Sequence, residues 1–96
     1  MTTAHATKHP YIIKDPNIQG GKAVIAGTRI PVSTVIVWYH MGYDIQEILD
    51  KYPHLSPSKV YDALSYYYDN KDEIDAERKE QEEDNNLKKK YPPGKP

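Results

Sequence analysis

The side chains best suited to chemistry in this sequence are four histidines, and their spacing does not form a site. His5 and His9 are four residues apart but have no third ligand nearby, whereas a structural zinc site needs four. His40 and His54 each stand alone. The GGK run at residues 20–22 lacks the spacing of a phosphate-binding loop, and no G-x-S-x-G nucleophile motif occurs. We therefore expect no metal site, no cofactor and no enzymatic activity.

Two short predicted helices joined by a tight connection are a better candidate for function. The first, over residues 44–52, opens with the D-x-x-E spacing of a capping box and carries an apolar stripe at helical spacing. The second, over residues 57–68, begins with proline after Ser56, a natural N-cap. The four-residue connection, 53–56, has the length expected in a helix-turn-helix.

In a helix-turn-helix, the second helix would direct its N-terminal turn at base edges of DNA. This interpretation assigns DNA contact to Lys22, Arg29, Ser56, Ser58, Lys59, Tyr61 and Asp62. The outward face of that helix offers one lysine and one aspartate, a weak charge for phosphate binding. A purely structural helical hairpin therefore remains an alternative.

The elements before this pair should support it. Two β-prone runs, 11–13 and 23–26, are bounded by turn residues and predict a small hairpin. Residues 32–41 are rich in β-branched side chains, so a strand is possible, but we favour a helix that Gly42 ends in the left-handed conformation. Such a helix has almost no polar face and must be buried, within the chain or against a second copy. For a homodimer we expect an interface of Val35, Ile36, Trp38 and Tyr39.

Length and composition predict one mainly α domain: a helix-turn-helix-like core with a short N-terminal β-hairpin and a charged helical tail. Cysteine is absent, which fits a reducing cytoplasm. No apolar run approaches the roughly 18 residues that span a bilayer, and no signal peptide is recognisable, so we expect a cytoplasmic protein without membrane contact. The expected division is a disordered N-terminus over 1–10, a core over 11–68 and a helical or disordered tail over 69–96.

The tail is the most charged part of the chain. Residues 69–84 carry nine acids against three bases, and residues 85–96 add four lysines. A helix that is polar on all sides is not stabilised by packing, so we expect it to be frayed or ordered only on a partner. A merely solvated tail is one interpretation, and an acidic strip that mimics RNA against a protein partner is the other. The second assigns partner contact to Tyr66, Asp69, Asp72, Glu73, Asp75, Glu77 and Glu80.

The run GKAVIAGTRIPV at residues 21–32 resembles the hallmark GKPVIxGTRIPV of a small prokaryotic family catalogued as domain of unknown function 433. Residues 42–49, 52–56 and 60–64 are similar to its G-x-s-x-e-e-I-L, Y-P-x-L-s and V-x-A-L motifs. The match runs from about residue 11 to residue 68. Ala23 stands where the family usually has proline.

This resemblance implies a winged or helix-turn-helix-like fold, dimers, and an antitoxin role opposite a PIN-like ribonuclease toxin. We therefore expect an antitoxin that neutralises such a toxin and regulates transcription from its own operator DNA. The alternative is a protein-interaction or oligomerisation module that does not bind DNA.

The GTRIPV part of the motif has two interpretations. In the structural one, Gly27 permits a tight turn, Thr28 bonds the backbone and Arg29 pairs with a local acid. In the binding one, the planar guanidinium of Arg29 contacts a phosphate or a partner carboxylate.

Overall fold

A computed structural model describes residues 5–89 of the chain and the side chains of residues 7–80. Within that part, three short strands precede four helices, so the fold is mainly helical with a short antiparallel N-terminal sheet, as predicted. The strands are β1 (His5–Ala6), β2 (Ile12–Lys14) and β3 (Ala23–Ile25), with a 3-10 turn at Gln19–Gly21. The helices are α1 (Val32–His40), α2 (Ile45–Lys51), α3 (Pro57–Asp69) and α4 (Lys71–Lys89).

The predicted hairpin forms from β2 and β3, with Ile12 opposite Ile25 in antiparallel register. A third strand, β1, pairs with the other edge of β2 and was not predicted. It lies in the segment 1–10, which we expected to be disordered. His9 is buried there, and the hydroxyl of Thr7 donates to the carbonyl of Ile12 at 2.8 Å. The ordered part of the chain therefore begins before residue 11.

The GTRIPV run reverses the chain between β3 and α1. Gly27 has φ +82°, a conformation that suits glycine. The hydroxyl of Thr28 donates to the Ile25 carbonyl at 2.8 Å and accepts from the Ile30 amide at 3.0 Å. The Ile25 amide in turn donates to the Ile30 carbonyl at 3.0 Å, and Pro31 pairs with β3 just before α1 begins. The structural roles predicted for Gly27 and Thr28 are confirmed.

The β-branched segment is a helix, α1, and it forms the centre of the core against α3. Val32, Val35 and Ile36 are completely buried inside the chain. The assignment of Val35 and Ile36 to a dimer interface is therefore wrong, because neither offers surface to a second copy. Trp38 and Tyr39 pack only partly against the core and still reach the surface.

The two helices of the predicted pair have the caps that the sequence indicated. A capping box links Asp44 and Glu47, with both reciprocal bonds at 2.9 Å. Ser56 accepts from the amide of Lys59 at 3.3 Å, with proline at the first turn of α3. Burial in α3 extends to the side of Tyr66, which was assigned to partner contact but is only 3 % exposed. The N-terminal segment and α4 cover that additional side of α3.

The acidic tail is part of the fold. α3 ends at Asp69, and Asn70 leaves the helical conformation while its side chain donates to the Tyr66 carbonyl at 3.1 Å. α4 then begins in a new direction and packs on α1, burying Ile74 completely. The predicted charged helical tail is therefore confirmed over Lys71–Lys89, but the buried Ile74 extends the core beyond the expected boundary at residue 68. The disordered end expected at 91–96 lies outside the described residues.

Among the helices that the structure describes, none is long and apolar enough to cross a membrane.

Candidate protein-binding surface

Two tyrosines of α3 hold α4 in place through carboxylates. The hydroxyl of Tyr66 donates to Glu73 at 3.0 Å, and that of Tyr67 donates to Asp75 at 3.0 Å. Burial raises the pKa of the Tyr66 phenol, and its bond to Glu73 raises it further. The hydrogen bond from the Tyr67 hydroxyl lowers the pKa of Asp75. The guanidinium of Arg78, 2.9 Å from the same carboxylate, lowers this pKa further. These bonds join α3 to α4, while the Asp75 side chain stays 45 % exposed.

A third acid of α4 reaches the start of α1. Glu77 is partly buried and hydrogen-bonded to Ser33, which is completely buried in the first turn of α1. Pro31, the N-cap of α1, has no side chain that can cap the helix. A carboxylate near a helix N-terminus interacts favourably with its exposed amide groups. Burial nevertheless raises the pKa of Glu77, and the bond to Ser33 only partly offsets it.

Among the seven residues predicted to contact a partner, three acids remain exposed after these contacts, and we call them the outward acids: Asp69, Asp72 and Glu80. The side chains of Asp69 and Glu80 are 65 % and 69 % exposed, and Asp72 is also exposed. A carboxylate oxygen of Asp69 lies 2.9 Å from Nε2 of His9, and Glu80 lies 3.7 Å from the ammonium of Lys22.

The residues predicted to bind a partner therefore divide into two sets. Tyr66 is buried, so its assignment to a surface is wrong, and Glu73, Asp75 and Glu77 anchor α4. Of these seven residues only the outward acids are exposed: Asp72 and Glu80 on α4, which the other four hold in position, and Asp69 at the end of α3.

The N-terminal segment is fixed to α3 by one histidine and one aspartate. The Nδ1 atom of His9 lies 3.3 Å from Asp62, and the amide of Tyr11 donates to the same carboxylate at 2.7 Å. The side chain of Asp62 is only 11 % exposed, so its assignment to an outward DNA-reading face is wrong. A cleft of about 560 Å³ separates this segment from the α3–α4 junction. Its lining residues are Thr7, Lys8, His9, Lys14, Tyr66, Asp69 and Asn70.

Sequence reasoning missed His9 and Lys14 as contacts of the α3–α4 junction. Lys14 lies 3.1 Å from Glu73, and His9 reaches α3 across 53 residues of chain. Neither pairing has a local sequence signal, because the residues of each pair are far apart in the sequence and come together only when the sheet packs on α3.

The remaining residues predicted to contact DNA do not form a basic surface. Ser58 and Tyr61 are exposed and border a shallow groove of about 300 Å³ together with Pro10 and Tyr11. None of the residues that line the groove is basic. Residues 44–69, which include both helices of the pair, carry five acids against two lysines. This balance opposes binding to a phosphate backbone.

Lys22 and Arg29 lie elsewhere than α3. Lys22 pairs with Glu80 of α4, as described above. Arg29 is exposed on the turn before α1, where its carbonyl accepts from the side chain of Gln19 at 3.0 Å. No acid among the described side chains lies within ion-pair distance of its guanidinium, so the predicted local pairing is not found there. Within the same described part, no group of three or more potential metal ligands comes together.

Fold and surface together define a small helical domain whose core, formed by the sheet and α1 to α3, is followed by the acidic helix α4. The family model described as "Protein of unknown function (DUF433)" matches residues 12–67, and the chain belongs to this family. The match ends before α4 begins. The resemblance identified in the sequence is therefore confirmed for the core.

The chain is similar to a protein of solved structure and to a further protein known from its sequence. The crystal structure of a DUF433 member protein from Anabaena variabilis has 37 % sequence identity and a TM-score of 0.68, covering 71 % of this chain and 67 % of that one. An uncharacterized protein, y4eO, from Sinorhizobium fredii is 31 % identical over 61 residues. That match covers 64 % of this chain but only 28 % of the relative, so the chain corresponds to little more than a quarter of that protein.

Proposed function

We propose that this protein is an antitoxin-like binding module that neutralises a PIN-like ribonuclease through the outward acids. The proposal rests on one observation: some polar side chains of α3 and α4 anchor α4, and others are exposed. One set of polar groups anchors α4 to the core, which leaves Asp72 and Glu80 exposed on α4 and Asp69 exposed at the end of α3. A preorganised surface loses less conformational entropy on binding than a segment that must first fold.

The expected partner surface is basic, because a ribonuclease must attract the phosphates of RNA. An acidic strip that meets it would be complementary in charge and would compete with the substrate for the same groups. The module would act by occupation alone, without catalysis and without a cofactor. A cytoplasmic location is part of the proposal, and the absence of cysteine is compatible with it.

Between the two alternatives considered from the sequence, the charge distribution favours a protein-interaction module over an operator-binding one. The acidic balance of residues 44–69 and the inward position of Asp62 both work against DNA contact by α3. A direct measurement is binding to the upstream DNA of its own gene at low and moderate salt. Tight binding that weakens steeply with salt would contradict this preference.

The proposal is tested by co-purification with the product of the adjacent reading frame and by inhibition of its ribonuclease activity. The informative variant is Asp72→Asn with Glu80→Gln, which removes two outward charges and leaves the anchoring groups intact. We expect inhibition to weaken by about twofold to thirtyfold, since two exposed ion pairs are lost and each contributes about 0.2–1 kcal/mol.

The matched control is Asp15→Asn with Asp50→Asn, which makes the same charge change away from α4. Both side chains keep an oxygen for their present donors, the amide of Asn17 and the side chain of Gln46. The control should inhibit like the unmodified protein. Equal inhibition by all three proteins, or failure of an adjacent ribonuclease to bind, would refute the proposal.

A further inference from the structure

The end of α1 builds a rigid aromatic corner. Gly42 has φ +98°, its amide donates to Tyr39 at 3.1 Å, and the amide of Tyr43 donates to the carbonyl of Trp38 at 3.1 Å. These two bonds are those of a Schellman motif, which brings the residue after the glycine back over the last turn of the helix. The rings of Trp38 and Tyr43 meet edge to face with centroids 5.2 Å apart. The indole nitrogen donates to the hydroxyl of Tyr52 at 3.1 Å, which fixes the orientation of the ring.

A cation of the same chain occupies this corner. The ammonium of Lys51 lies 4.2 Å from the centroid of the Trp38 ring and 4.6 Å from that of Tyr43. Glu47 is four residues before Lys51, the spacing at which glutamate and lysine pair on a helix. The two side chains nevertheless form no ion pair. The Glu47 carboxylate accepts from the Asp44 amide in the capping box, and the ammonium of Lys51 lies over the two rings.

We infer that the aromatic corner, formed by Trp38, Tyr43 and Tyr52, is a binding site for an arginine side chain of a protein partner. In the free protein, Lys51 occupies the place of that arginine. A guanidinium is planar and more weakly hydrated than an ammonium, so it stacks on an indole more favourably. Glu47 is exposed on the same face of α2 and can accept hydrogen bonds from the incoming fork.

The surroundings favour a basic segment of another protein as the occupant. Besides Glu47, α2 and its N-cap expose Asp44 and Asp50, so three acidic side chains lie on this side of the molecule. A segment with several arginines would be attracted to this side of the molecule. The aromatic corner lies on α1 and α2, whereas the outward acids lie on α3 and α4. The corner can therefore bind an arginine segment even if the outward acids do not bind the proposed ribonuclease.

Fluorescence reports on this site directly, because Trp38 is the only tryptophan of the chain. The probe is a peptide of three arginines, and its neutral control is the same peptide with citrulline. The informative variant is Lys51→Ala, which empties the corner. Its matched control is Lys59→Ala, which removes a lysine from α3 that contacts neither ring.

We expect the arginine peptide to change the emission of Trp38 and to bind Lys51→Ala about tenfold more tightly than the unmodified protein or Lys59→Ala. Adding Tyr43→Leu to Lys51→Ala should abolish that gain, and circular dichroism establishes that each variant is folded. Equal responses to the arginine and citrulline peptides, or no gain in Lys51→Ala, would overturn the inference. Self-association that is lost in Arg29→Gln would also overturn it, because the occupant would then be a second copy of this chain.

Discussion

The hydroxyl of Tyr66 lies 3.0 Å from each carboxylate oxygen of Glu73, which joins α3 to α4 across the bend at Asn70. The ammonium of Lys14 approaches the same carboxylate to 3.1 Å, so the sheet, α3 and α4 meet at one acidic side chain. A helix with a mainly polar surface is thereby attached to the core. The position of the outward acids depends on this attachment.

Tyr66→Phe keeps the ring and removes the bond to Glu73. We expect the free energy of unfolding to fall by about 1–2 kcal/mol, since a hydrogen bond to a charged group is involved and Glu73 retains Lys14. Urea unfolding measures the change. The control is Tyr61→Phe, whose hydroxyl is on an exposed side chain and which should stay within about 0.5 kcal/mol of the unmodified protein. Equal stability of the two variants would show that the junction does not depend on this bond.

Alkaline pH should weaken the same junction. Burial and the bond to Glu73 raise the pKa of Tyr66 above its usual value of 10.0, so the folded state favours the neutral phenol. That contribution to stability is present below about pH 10 and is lost as the pH rises through the folded-state pKa. Tyr67 acts in the same direction, because burial and Asp75 raise its pKa. Tyr66→Phe should therefore lose less stability than the unmodified protein between about pH 9 and pH 11, measured by urea unfolding. A parallel decline of both proteins would contradict this.

Ile74→Ala tests whether α4 belongs to the core. Ile74 is the one completely buried side chain among those described in α4, and truncating it should cost about 2–4 kcal/mol of unfolding free energy. Lys79→Ala, on the exposed side of the same helix, should have little effect. Thermal unfolding distinguishes them. If Ile74→Ala were as stable as Lys79→Ala, α4 would be detached in solution, and deleting it would leave the remaining domain folded.

Local signals in the sequence predicted much of this fold. The capping box of Asp44 and Glu47, the Ser56 cap and the end of α1 at Gly42 each depend on residues within one turn of helix. The turn at Gly27 likewise depends on bonds that span only a few residues. Such features are visible in a sequence because the interacting groups have a fixed spacing along the chain.

The attachment of the two ends of the described chain was not predictable in this way. His9 and Asp62 are brought together only when the sheet packs on α3, and no spacing in the sequence predicts this contact. α4 offers one buried isoleucine in a strongly charged sequence, too little for a periodic signal. Its acids gave a charge count but did not show which would anchor the helix and which would face outward. That distinction depends on Tyr66, Tyr67 and Ser33, which belong to other helices.

Gly27→Ala should destabilise the turn that leads into α1. The residue has φ +82°, and a Cβ built there meets no other atom within 4 Å, so the cost comes from the backbone alone. A left-handed conformation costs a residue with a side chain about 1–2 kcal/mol. Gly27→Asn should lose less than Gly27→Ala, because asparagine adopts this conformation more readily. Urea unfolding of the two variants gives the comparison, and a larger loss for asparagine would indicate a steric cost instead.

Glu77→Gln distinguishes two opposing contributions to stability: the cost of burying the Glu77 charge and the attraction of that charge to the start of α1. Burial raises the pKa of Glu77 above 4.5, so the folded protein favours the protonated acid. The corresponding stability is present below about pH 4.5 and is lost as the pH rises through the folded-state pKa. Glutamine is neutral throughout and can still accept from Ser33. We therefore expect Glu77→Gln to be more stable than the unmodified protein near pH 7, with a smaller difference near pH 4.

Urea unfolding at those two pH values tests this, with Glu80→Gln as the control at an exposed acid of the same helix. Asp75, whose pKa is lowered by its bond from Tyr67, loses its contribution in acid in all three proteins and so cancels from the comparison. If Glu77→Gln were instead less stable near pH 7, the attraction between the carboxylate and the amides of α1 would exceed the cost of burial. Glu77 would then act as the missing cap of α1, supplied from α4 across more than forty residues of chain.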